Sequence, residues 1–423
     1  MQIALVSEHA SPLALVGGVD SGGQNIYVAN VARQLARSGH HVDVFTRRDN
    51  SLLPTIVHWK KNVRVVHLDA GPARFVAKEE LLPHMDEFGA ALVAFFRRQS
   101  RPYDVVHANF FMSGLASLNV RRELDIPLVI TFHALGLVRR QYQREADRFP
   151  DARFEIEARL IRESDGIVAE CPQDRIDMQR LYDADESKIT VIPCGFDPDE
   201  FWPIDRADAR AYLGWDAHAF NVLQLGRLVP RKGIDNVIRA AAILQHEHGV
   251  HACLHVVGGN SETPNLMATP EIGRLAALAL DEGIADQVDF VGRRGRDALP
   301  TYYSAADVFV TTPWYEPFGI TPLEAMACGT PVIGSAVGGI QFTVEHEKSG
   351  LLVPPDDPHA LAARLAQLHR DPQLAKRLSQ AGRTRVNKAF TWRHVSRNLA
   401  AFYERARERV RSEEGLIREH AVV

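Results

Sequence analysis

The sequence predicts an α/β protein with two parallel, doubly wound sheets. Short β-branched runs alternate with longer helical patterns along the chain, which is typical of repeated strand–helix–strand units. The chain has 423 residues, more than one core usually supports, and 46% of them are hydrophobic, enough to bury two cores. We therefore expect two domains, residues 1–195 and 196–390. We also expect a last helix from Thr391 through about Arg411, within a C-terminal segment of about 391–423.

The predicted strands form two sets, separated by the turn-rich linker Pro193–Pro203. The first set is Gln2–Ser7, Val42–Thr46, Val63–Leu68, Val105–His107, Leu128–Thr131, Gly166–Ala169 and Ile189–Ile192. The second set is Asn221–Gly226, Ala252–Gly258, Val288–Val291, Val308–Thr311, Pro331–Gly334 and Gly350–Val353.

The segment 316–333, EPFGITPLEAMACGTPVI, places two carboxylates around a predicted helix start. We expect Thr321 to cap this helix and Gly329 to end it. Glu316 then lies on the loop and Glu324 in the first turn, beside N–H groups that favour an anion such as a diphosphate. Ionised Glu only accepts hydrogen bonds, so both carboxylates suit sugar or ribose hydroxyls. Alternatively, Thr321 and Glu324 form a capping box and Glu324 is structural.

A second signal is the basic turn Arg227–Gly233, which follows the predicted strand Asn221–Gly226 and precedes a helical pattern. Such a turn lies at the carboxyl edge of a parallel sheet, where ligands of these folds bind. Arg227 and Lys232 are suited to neutralise a diphosphate leaving group. The alternative is an ordinary solvated turn.

A third signal is the glycine-rich loop Gly17–Asn25, between the first strand and a helical pattern. Its glycines allow close backbone approach to a ligand and leave amides available for an anion. No GxGxxG follows the first strand, and the second strand ends at Arg47 without an acidic residue placed for a ribose. The pattern therefore disfavours an NAD enzyme.

Together these stretches resemble the retaining glycosyltransferases of family four. Residues 316–324 and the run Gly226–Gly233 are the specific part of a resemblance that covers nearly the whole chain. The runs Asp20–Asn25 and Lys78–Leu81 are similar to the branch containing sucrose-phosphate synthase and D-inositol 3-phosphate glycosyltransferase. The resemblance implies the GT-B fold, in which two Rossmann-like domains face a cleft and the last helix crosses back to the first domain.

The resemblance also implies roles for individual residues. The residues implied to contact the nucleotide-sugar donor are Gly23, Arg227, Lys232, Arg294, Glu316 and Glu324. His133 is implied to lie beside the reacting sugar, and with Glu316, Arg227 and Lys232 it makes up the expected catalytic set. The residues implied to face the acceptor are His9, Asp20, Asn25, Lys78 and Arg153.

Three of these residues also have ordinary interpretations. His133 taken alone is typical of a satisfied histidine at a strand end, and Lys78 of a surface charge that begins a helix. Arg153, in the charged stretch DARFEIEAR, fits a solvated helix face.

Two positions depart from the inositol-phosphate pattern. That pattern has Tyr and Thr toward the acceptor, where this chain has Phe110 and Ala134. Two possible hydrogen bonds to a phosphate or polyol are therefore missing. We expect a phosphorylated hexose or ketose to be preferred over inositol phosphate. The alternatives are a lipid or neutral glycan acceptor.

The expected reaction breaks an anomeric bond through an oxocarbenium-like state, while negative charge grows on the diphosphate. Donors fixed at the diphosphate oxygens, from Arg227, Lys232 and the Gly23 amide, stabilise that state most. The resemblance implies that the anomeric configuration is retained without a carboxylate nucleophile. A sugar phosphorylase with lysine-bound pyridoxal phosphate and a non-catalytic sugar-nucleotide binder are the alternatives.

Composition limits the other function classes. With a net charge of −4 and an isoelectric point near 6.5, the chain lacks the excess of positive charge that is typical of a nucleic-acid binder. The four cysteines are far apart, without the spacing of a disulfide framework or a zinc site. The start MQIALVSEHA lacks a signal-peptide pattern, and no run of 18 apolar residues occurs. We expect a cytoplasmic enzyme that requires no metal or cofactor, with Mg²⁺ on the diphosphate dispensable.

Overall fold

The structure of the protein is a computed structural model that describes residues 1–14 and 22–420, with the backbone alone for 413–420. Contacts within the described chain divide it into two compact units. Unit 1 holds residues 1–14, 22–193 and 392–420, and unit 2 holds residues 194–391. The observed divisions thus follow Pro193 and Thr391, against predicted limits at 195 and 390.

Unit 1 is built on one eight-stranded sheet. Its strands are β1 (Gln2–Val6), β2 (His41–Arg47), β3 (Ile56–Lys60), β4 (Val63–Leu68), β5 (Val105–Asn109), β6 (Leu128–Thr131), β7 (Gly166–Ala169) and β8 (Ile189–Val191). Their order is β3-β4-β2-β1-β5-β6-β7-β8. Its first six helices are α1 (Gly23–Arg37), α2 (Met85–Arg97), α3 (Phe111–Leu124), α4 (Gly136–Gln143), α5 (Ala152–Glu163) and α6 (Pro172–Tyr182).

Unit 2 repeats the arrangement with six strands, all paired in parallel. Its strands are β9 (Phe220–Leu225), β10 (Ala252–Val257), β11 (Val288–Gly292), β12 (Val308–Thr311), β13 (Val332–Ser335) and β14 (Leu351–Val353). Their order is β11-β10-β9-β12-β13-β14. Its helices are α7 (Arg206–Leu213), α8 (Ile234–His248), α9 (Pro270–Asp281), α10 (Leu299–Ala305), α11 (Ile320–Ala327), α12 (Ile340–Thr343), α13 (Pro358–Arg370) and α14 (Pro372–Ala389).

The last helix, α15 (Trp392–His420), belongs to unit 1 although it follows unit 2 in sequence. It packs against α1, and the rings of Trp392 and Tyr27 meet edge to face at 5.8 Å. Trp392 and Tyr403 are both completely buried, so α15 supplies part of the unit 1 core. Its backbone continues past Arg411, where we expected the helix to end.

Each predicted run of the two sets forms a strand, within one or two residues, so the predicted fold class is confirmed. The sequence prediction missed β3, which pairs antiparallel with β4 at the edge of the unit 1 sheet. The two residues between these strands are Lys61 and Asn62, and Asn62 has a φ of 61°. A two-residue turn with positive φ is typical of a hairpin, but β3 is short and half-exposed, which weakens its hydrophobic pattern.

The predicted start of α11 needs correction. The helix begins at Ile320 and its N-cap is Gly319, so Thr321 is the second helical residue rather than the cap. Gly319 has a φ of 83°, a conformation that side chains other than glycine rarely adopt. The chain therefore turns into the helix two residues earlier than the Thr-Pro signal predicts.

The core of unit 2 consists of buried hydrophobic side chains on the sheet and its flanking helices. Its members include Val222, Val237, Leu254, Val310 and Leu361, all at most 1% exposed, from both the strands and the flanking helices. Burying an aliphatic side chain of this size contributes about 1.5–3 kcal/mol. Both faces of the sheet are covered, which is why its strands are near-continuous apolar runs.

Both sheets have a switch point where the strand order reverses. In unit 1 it lies between β1 and β5, and in unit 2 between β9 and β12. Loops on the two sides of such a point leave the sheet in opposite directions and open a crevice at the carboxyl ends of the strands. These two edges are where ligand-binding side chains are expected.

Candidate active site

Four neighbouring strands of unit 1 end in polar residues at the same edge. Glu8 follows β1, Asn109 ends β5, His133 follows β6 and Glu170 follows β7. Because these strands lie side by side in parallel, their carboxyl ends meet at one edge, where Asn109, His133 and Glu170 are in contact. Only His133 among them was predicted as a site residue.

His133 is held by hydrogen bonds at both ring nitrogens. Its Nε2 lies 3.0 Å from Oδ1 of Asn109 and its Nδ1 lies 3.1 Å from Oε1 of Glu170. The Asn109 amide is oriented by its own Nδ2, which donates to the backbone oxygen of His107 at 3.2 Å. Both neighbours therefore present acceptor oxygens to the imidazole. The backbone of His133 has a φ of 57°, an uncommon conformation for this residue type that the surrounding contacts maintain.

A second histidine, His107, lies directly behind this group and is completely buried. Its Nδ1 contacts the Tyr403 hydroxyl at 2.6 Å, and its Nε2 contacts the Thr131 hydroxyl at 2.8 Å. Burial lowers its pKa to about 3, and the nearby His133 adds to that effect. His107 is therefore a neutral hydrogen-bonding link between α15 and the strand that leads to His133.

His9 belongs to the same edge. Its Nδ1 lies 2.6 Å from Oε1 of Glu8, whose second oxygen accepts a hydrogen bond from Ser113. The His9 ring meets the Phe110 ring edge to face at 5.2 Å. Phe110 itself is nearly buried and has a φ of 88° at the start of α3. A carboxylate and an aromatic ring thus fix His9 from two sides.

Arg153 is completely buried, so the interpretation that it lies on a solvated helix face is wrong. Its Nε donates to Oε1 of Glu157 at 2.7 Å, and its Nη2 donates to the backbone oxygen of Ala134. Its guanidinium also lies within 5 Å of the ring centres of three phenylalanines, Phe110, Phe111 and Phe149. These contacts tie α5 to the loop that carries His133.

The remaining residues predicted to face the acceptor differ in their placement. Asn25 accepts from the amide of Gly22 and donates to the backbone oxygen of Ser11, each at 3.0 Å, so its side chain organises the start of α1. Lys78 begins a short 3₁₀ turn, and its ammonium lies 3.9 Å from Glu79. Asp20 lies outside the described residues. Gly23, predicted to contact the donor, is the first residue of α1.

In unit 2, an ion pair spans the switch point between β9 and β12. The Nζ of Lys232 donates to Oε2 of Glu316, and Arg231 approaches the same oxygen at 3.6 Å. Lys232 closes a 3₁₀ turn before Gly233, where a Cβ would lie 2.1 Å from the backbone oxygen of Thr312. Only glycine lets the two loops approach this closely, which positions Lys232 against Glu316.

Charge and burial compete at this pair. Burial alone would raise the pKa of Glu316. The positive charges of Lys232, Arg231 and Arg227 outweigh burial and lower this pKa from 4.5 to about 2. Burial lowers the pKa of Lys232 despite the neighbouring Glu316. The two side chains are 17% and 14% exposed, so the pair is accessible to a ligand. Arg227 is exposed at the end of β9 and adds positive charge on the same side.

Glu324 is buried in the second turn of α11, not in the first as predicted, because the helix begins at Ile320. It does not form the alternative capping box with Thr321, because Gly319 is the N-cap. Its oxygens accept from Arg296 at 2.9 Å and from the Tyr303 hydroxyl at 3.0 Å. Arg296 also contacts Glu200 at 3.1 Å. Burial lowers the pKa of Arg296, but Glu324 and Glu200 outweigh burial and raise it.

Arg294, also predicted to contact the donor, is held in the neighbouring loop. Its Nε donates to the Tyr302 hydroxyl at 2.9 Å and its Nη1 to the backbone oxygen of Glu262 at 2.7 Å.

Two family models match the chain: Glycosyltransferase Family 4 over residues 21–200 and Glycosyl transferases group 1 over residues 205–385. A D-inositol 3-phosphate glycosyltransferase of Actinosynnema mirum is 35% identical over 97% of this chain and 99% of its own length. The chain belongs to glycosyltransferase family four. A relative with the same name from Geodermatophilus obscurus is 38% identical over 96% of this chain and 90% of its own length.

The sucrose-phosphate synthase of Thermosynechococcus elongatus is a structural neighbour of this glycosyltransferase. The two share 36% identity and superpose with a TM-score of 0.86, over 96% of this chain and 99% of the other. The predicted GT-B fold and the predicted enzyme class are thereby confirmed.

Sequence reasoning missed four polar residues beside the predicted site residues: Glu8, Asn109 and Glu170 in unit 1, and Arg296 in unit 2. Glu8 and Glu170 directly follow predicted strands and Asn109 comes two residues after one, and that position was a usable signal. Arg296 had none, because its contact with Glu324 depends on how α10 and α11 pack. Among the described residues, no group of three or more His, Cys, Asp or Glu could hold a metal ion. No described helix has the length and apolar character to cross a membrane.

Proposed function

We propose that this glycosyltransferase moves a hexosyl group from a UDP-sugar to a hydroxyl of a phosphorylated small sugar or polyol, with retention of configuration. The observation that carries the proposal is the Lys232–Glu316 pair at the switch point of the unit 2 sheet. The pair places a cation, which can bind a diphosphate, beside a carboxylate, which can accept hydrogen bonds from sugar hydroxyls. A nucleotide-sugar is the ligand class that presents both groups together.

The donor is held by unit 2 in this proposal. Lys232 and Arg227 bind the diphosphate and stabilise the charge that develops on it as the anomeric bond breaks. Glu316 accepts hydrogen bonds from hydroxyls of the transferred sugar. Glu324, which is oriented by its hydrogen bond from Arg296, accepts those of the ribose, and Arg294 adds positive charge nearby.

Unit 1 supplies the other half of the reaction. His133, held by Asn109 and Glu170, lies beside the reacting sugar. The Gly23 amide, at the start of α1, adds a donor to the diphosphate. The leaving phosphate accepts the proton of the acceptor hydroxyl, so retention needs no carboxylate nucleophile.

The phosphorylated acceptor is supported by two kinds of relative. The two relatives are named for inositol 3-phosphate, and the structural neighbour is named for sucrose phosphate. In this chain Lys78, His9 and Asp20 are the proposed acceptor contacts. The hydrogen bonds of Asn25 and Arg153 favour positioning roles, since both side chains hold backbone of the acceptor side.

The proposed reaction requires no cofactor, and Mg²⁺ on the diphosphate is dispensable. The partners are the nucleotide-sugar and a small-molecule acceptor in the cytoplasm, with no nucleic acid.

A thermal-shift screen of nucleotide-sugars tests the donor. A ligand at a hundred times its dissociation constant stabilises a protein by about 2.7 kcal/mol, so UDP-sugars should raise Tm clearly above ADP- and GDP-sugars. Incubation of the selected donor with phosphorylated and unphosphorylated sugars, followed by NMR of the product, tests acceptor and anomeric configuration. Stabilisation without turnover would favour a non-catalytic binder. Transfer only to lipids or neutral glycans would contradict the phosphorylated acceptor.

A further inference from the structure

A groove on unit 2 is not part of the candidate site. It has a volume of about 710 Å³ and lies between α14 and the turn that precedes β14. Its charged lining residues are Glu345, Lys348, Arg377, Arg385 and Lys388. The groove is therefore lined by four basic side chains and one carboxylate.

The basic character extends along the whole of α14. The helix carries five Lys or Arg residues and no Asp or Glu over residues 372–389, in a chain whose net charge is −4. A solvated helix usually alternates charge signs, because neighbouring opposite charges stabilise it and like charges repel. The concentration of one sign on α14 is therefore unfavourable unless an anion lies against it.

One of the four groove cations has a structural role. Arg385 donates to the backbone oxygens of Phe342 and Thr343 at 2.8 and 2.9 Å, and it forms an ion pair with Glu345 at 2.5 Å. These bonds fix the turn after α12 to α14. Its charge is thus already neutralised by the single carboxylate of the groove.

The other three cations are available. Lys348, Arg377 and Lys388 are exposed, and within the described chain no carboxylate lies within 4 Å of their charged groups. Arginine binds phosphate through a fork of N–H groups and lysine as a point charge. These three side chains can therefore be satisfied by phosphate oxygens.

Their spacing indicates more than one phosphate group. Arg377 and Lys388 are eleven residues apart on α14, roughly 16 Å along the axis at 1.5 Å per residue, a spacing that a ligand with two phosphate groups matches better than a single phosphate does. Lys348 faces them from the opposite wall. The groove volume falls in the range of roughly 300–1,000 Å³ typical of small-molecule sites. No large hydrophobic residue of α14 is exposed, so the groove offers nothing for an acyl chain.

We propose that this groove binds a small soluble anion with two or more phosphate groups, at a site separate from the donor site. The ligand contacts Arg377, Lys388 and Lys348, while Arg385 and Glu345 hold the wall of the groove.

Inorganic tripolyphosphate is the probe for the test, with binding measured calorimetrically at constant ionic strength. The experiment uses the Lys232→Ala protein, in which the proposed donor site is weakened, with and without the double change Arg377→Glu and Lys388→Glu. We expect the double change to weaken binding at least tenfold. The control Lys60→Glu with Lys61→Glu alters the net charge by the same amount on unit 1 and should leave the affinity unchanged.

Lys348→Ala should weaken binding less than the double change, because it removes one contact without reversing charge. All these side chains are exposed, so the variants are expected to fold, and their Tm without ligand checks this. Equal affinity in the groove and control variants would overturn the proposal. Loss of all tripolyphosphate binding in Lys232→Ala alone would do so too, since the donor site would then be the only site.

Phosphatidylcholine vesicles with and without phosphatidic acid distinguish a soluble ligand from a lipid headgroup. We expect no groove-dependent sedimentation with either vesicle. If sedimentation with phosphatidic acid depended on Arg377 and Lys388 while tripolyphosphate did not bind, the soluble-ligand proposal would be wrong.

Discussion

Lys232 and Glu316 form an ion pair that joins the segments after β9 and β12, the two strands on either side of the unit 2 switch point. Each charge of the pair favours the ionised form of its partner, against the effect of burial. A diphosphate that binds here meets an oriented ammonium, and the carboxylate it partly releases becomes available to hydroxyls. The same contact can thus prepare the site before the donor arrives.

Lys232→Ala and Glu316→Gln should each lower kcat by roughly 10²–10³, the usual effect of removing one fixed transition-state contact. Both side chains lie on loops above the sheet edge, so no core cavity forms and the variants should remain folded. Steady-state kinetics at saturating donor measure the effect. Glu271→Gln, which breaks an ion pair with the exposed Arg274 in the same unit, is the control and should change kcat little. Near-normal turnover in Lys232→Ala would refute the assignment.

The folded-state pKa of Glu316, about 2, lies below its ordinary value of 4.5. A depressed carboxyl pKa stabilises the protein fully above about pH 4.5, and this contribution disappears as the pH falls through about 2. Between those limits the wild-type unfolding free energy should therefore fall more steeply than that of Glu316→Gln. Urea unfolding of both proteins across this range measures the difference. Parallel curves would show that Glu316 is not held ionised by its cationic neighbours.

Transfer should persist in excess EDTA. Lys232 and Arg227 carry the charge compensation that a divalent ion supplies in other phosphate sites, so Mg²⁺ should be dispensable. Activity is compared before and after chelation, with added Mg²⁺ as the control. Complete loss on chelation, restored by one divalent metal, would contradict this expectation.

Lys78→Ala should raise the acceptor KM at least tenfold, equivalent to about 1.4 kcal/mol, with little change in donor KM. The reason is the loss of a charge-assisted contact to the acceptor phosphate. Kinetics with fructose 6-phosphate, inositol 3-phosphate and their unphosphorylated forms measure it, with Lys60→Ala as an exposed-lysine control. We expect the hexose phosphate to be preferred, because Phe110 and Ala134 provide no hydroxyl. Equal reaction of unphosphorylated acceptors would exclude a phosphate pocket.

Tyr403→Phe should destabilise the protein by about 1–3 kcal/mol, the usual penalty for leaving a buried polar group unsatisfied. The group concerned is Nδ1 of His107, which loses its 2.6 Å contact. Chemical denaturation measures the change, and Tyr212→Phe, at an 82% exposed tyrosine, is the matched control. An unchanged free energy of unfolding would mean that His107 finds another partner.

Most of the strands were predictable because they are buried on both faces and therefore form short apolar runs. The predicted site residues His133 and Lys232 lie beyond the carboxyl ends of two of those runs, as expected from their positions in the sequence. β3 was not predicted, because an edge strand faces solvent and its hydrophobic pattern is weak.

Side-chain partners were less predictable. The spacing of Arg153 and Glu157 fits an exposed helical ion pair, yet three phenylalanines from two separate segments cover Arg153. The spacing of Thr321 and Glu324 left a capping box open as the alternative, but Glu324 is paired with Arg296 from another loop. Such contacts depend on tertiary packing, which local spacing does not encode.

The return of α15 to unit 1 has a consequence for how the protein is made. Trp392 and Tyr403 leave the ribosome only after all of unit 2 has been synthesised. Unit 1 therefore cannot complete its core until α15 has been made. Until then the α1 surface that α15 covers is exposed, and His107 lacks its tyrosine. A chain truncated before Trp392 therefore exposes apolar surface that chaperones and proteases recognise. The C-terminal helix makes completion of translation a condition for a finished first domain.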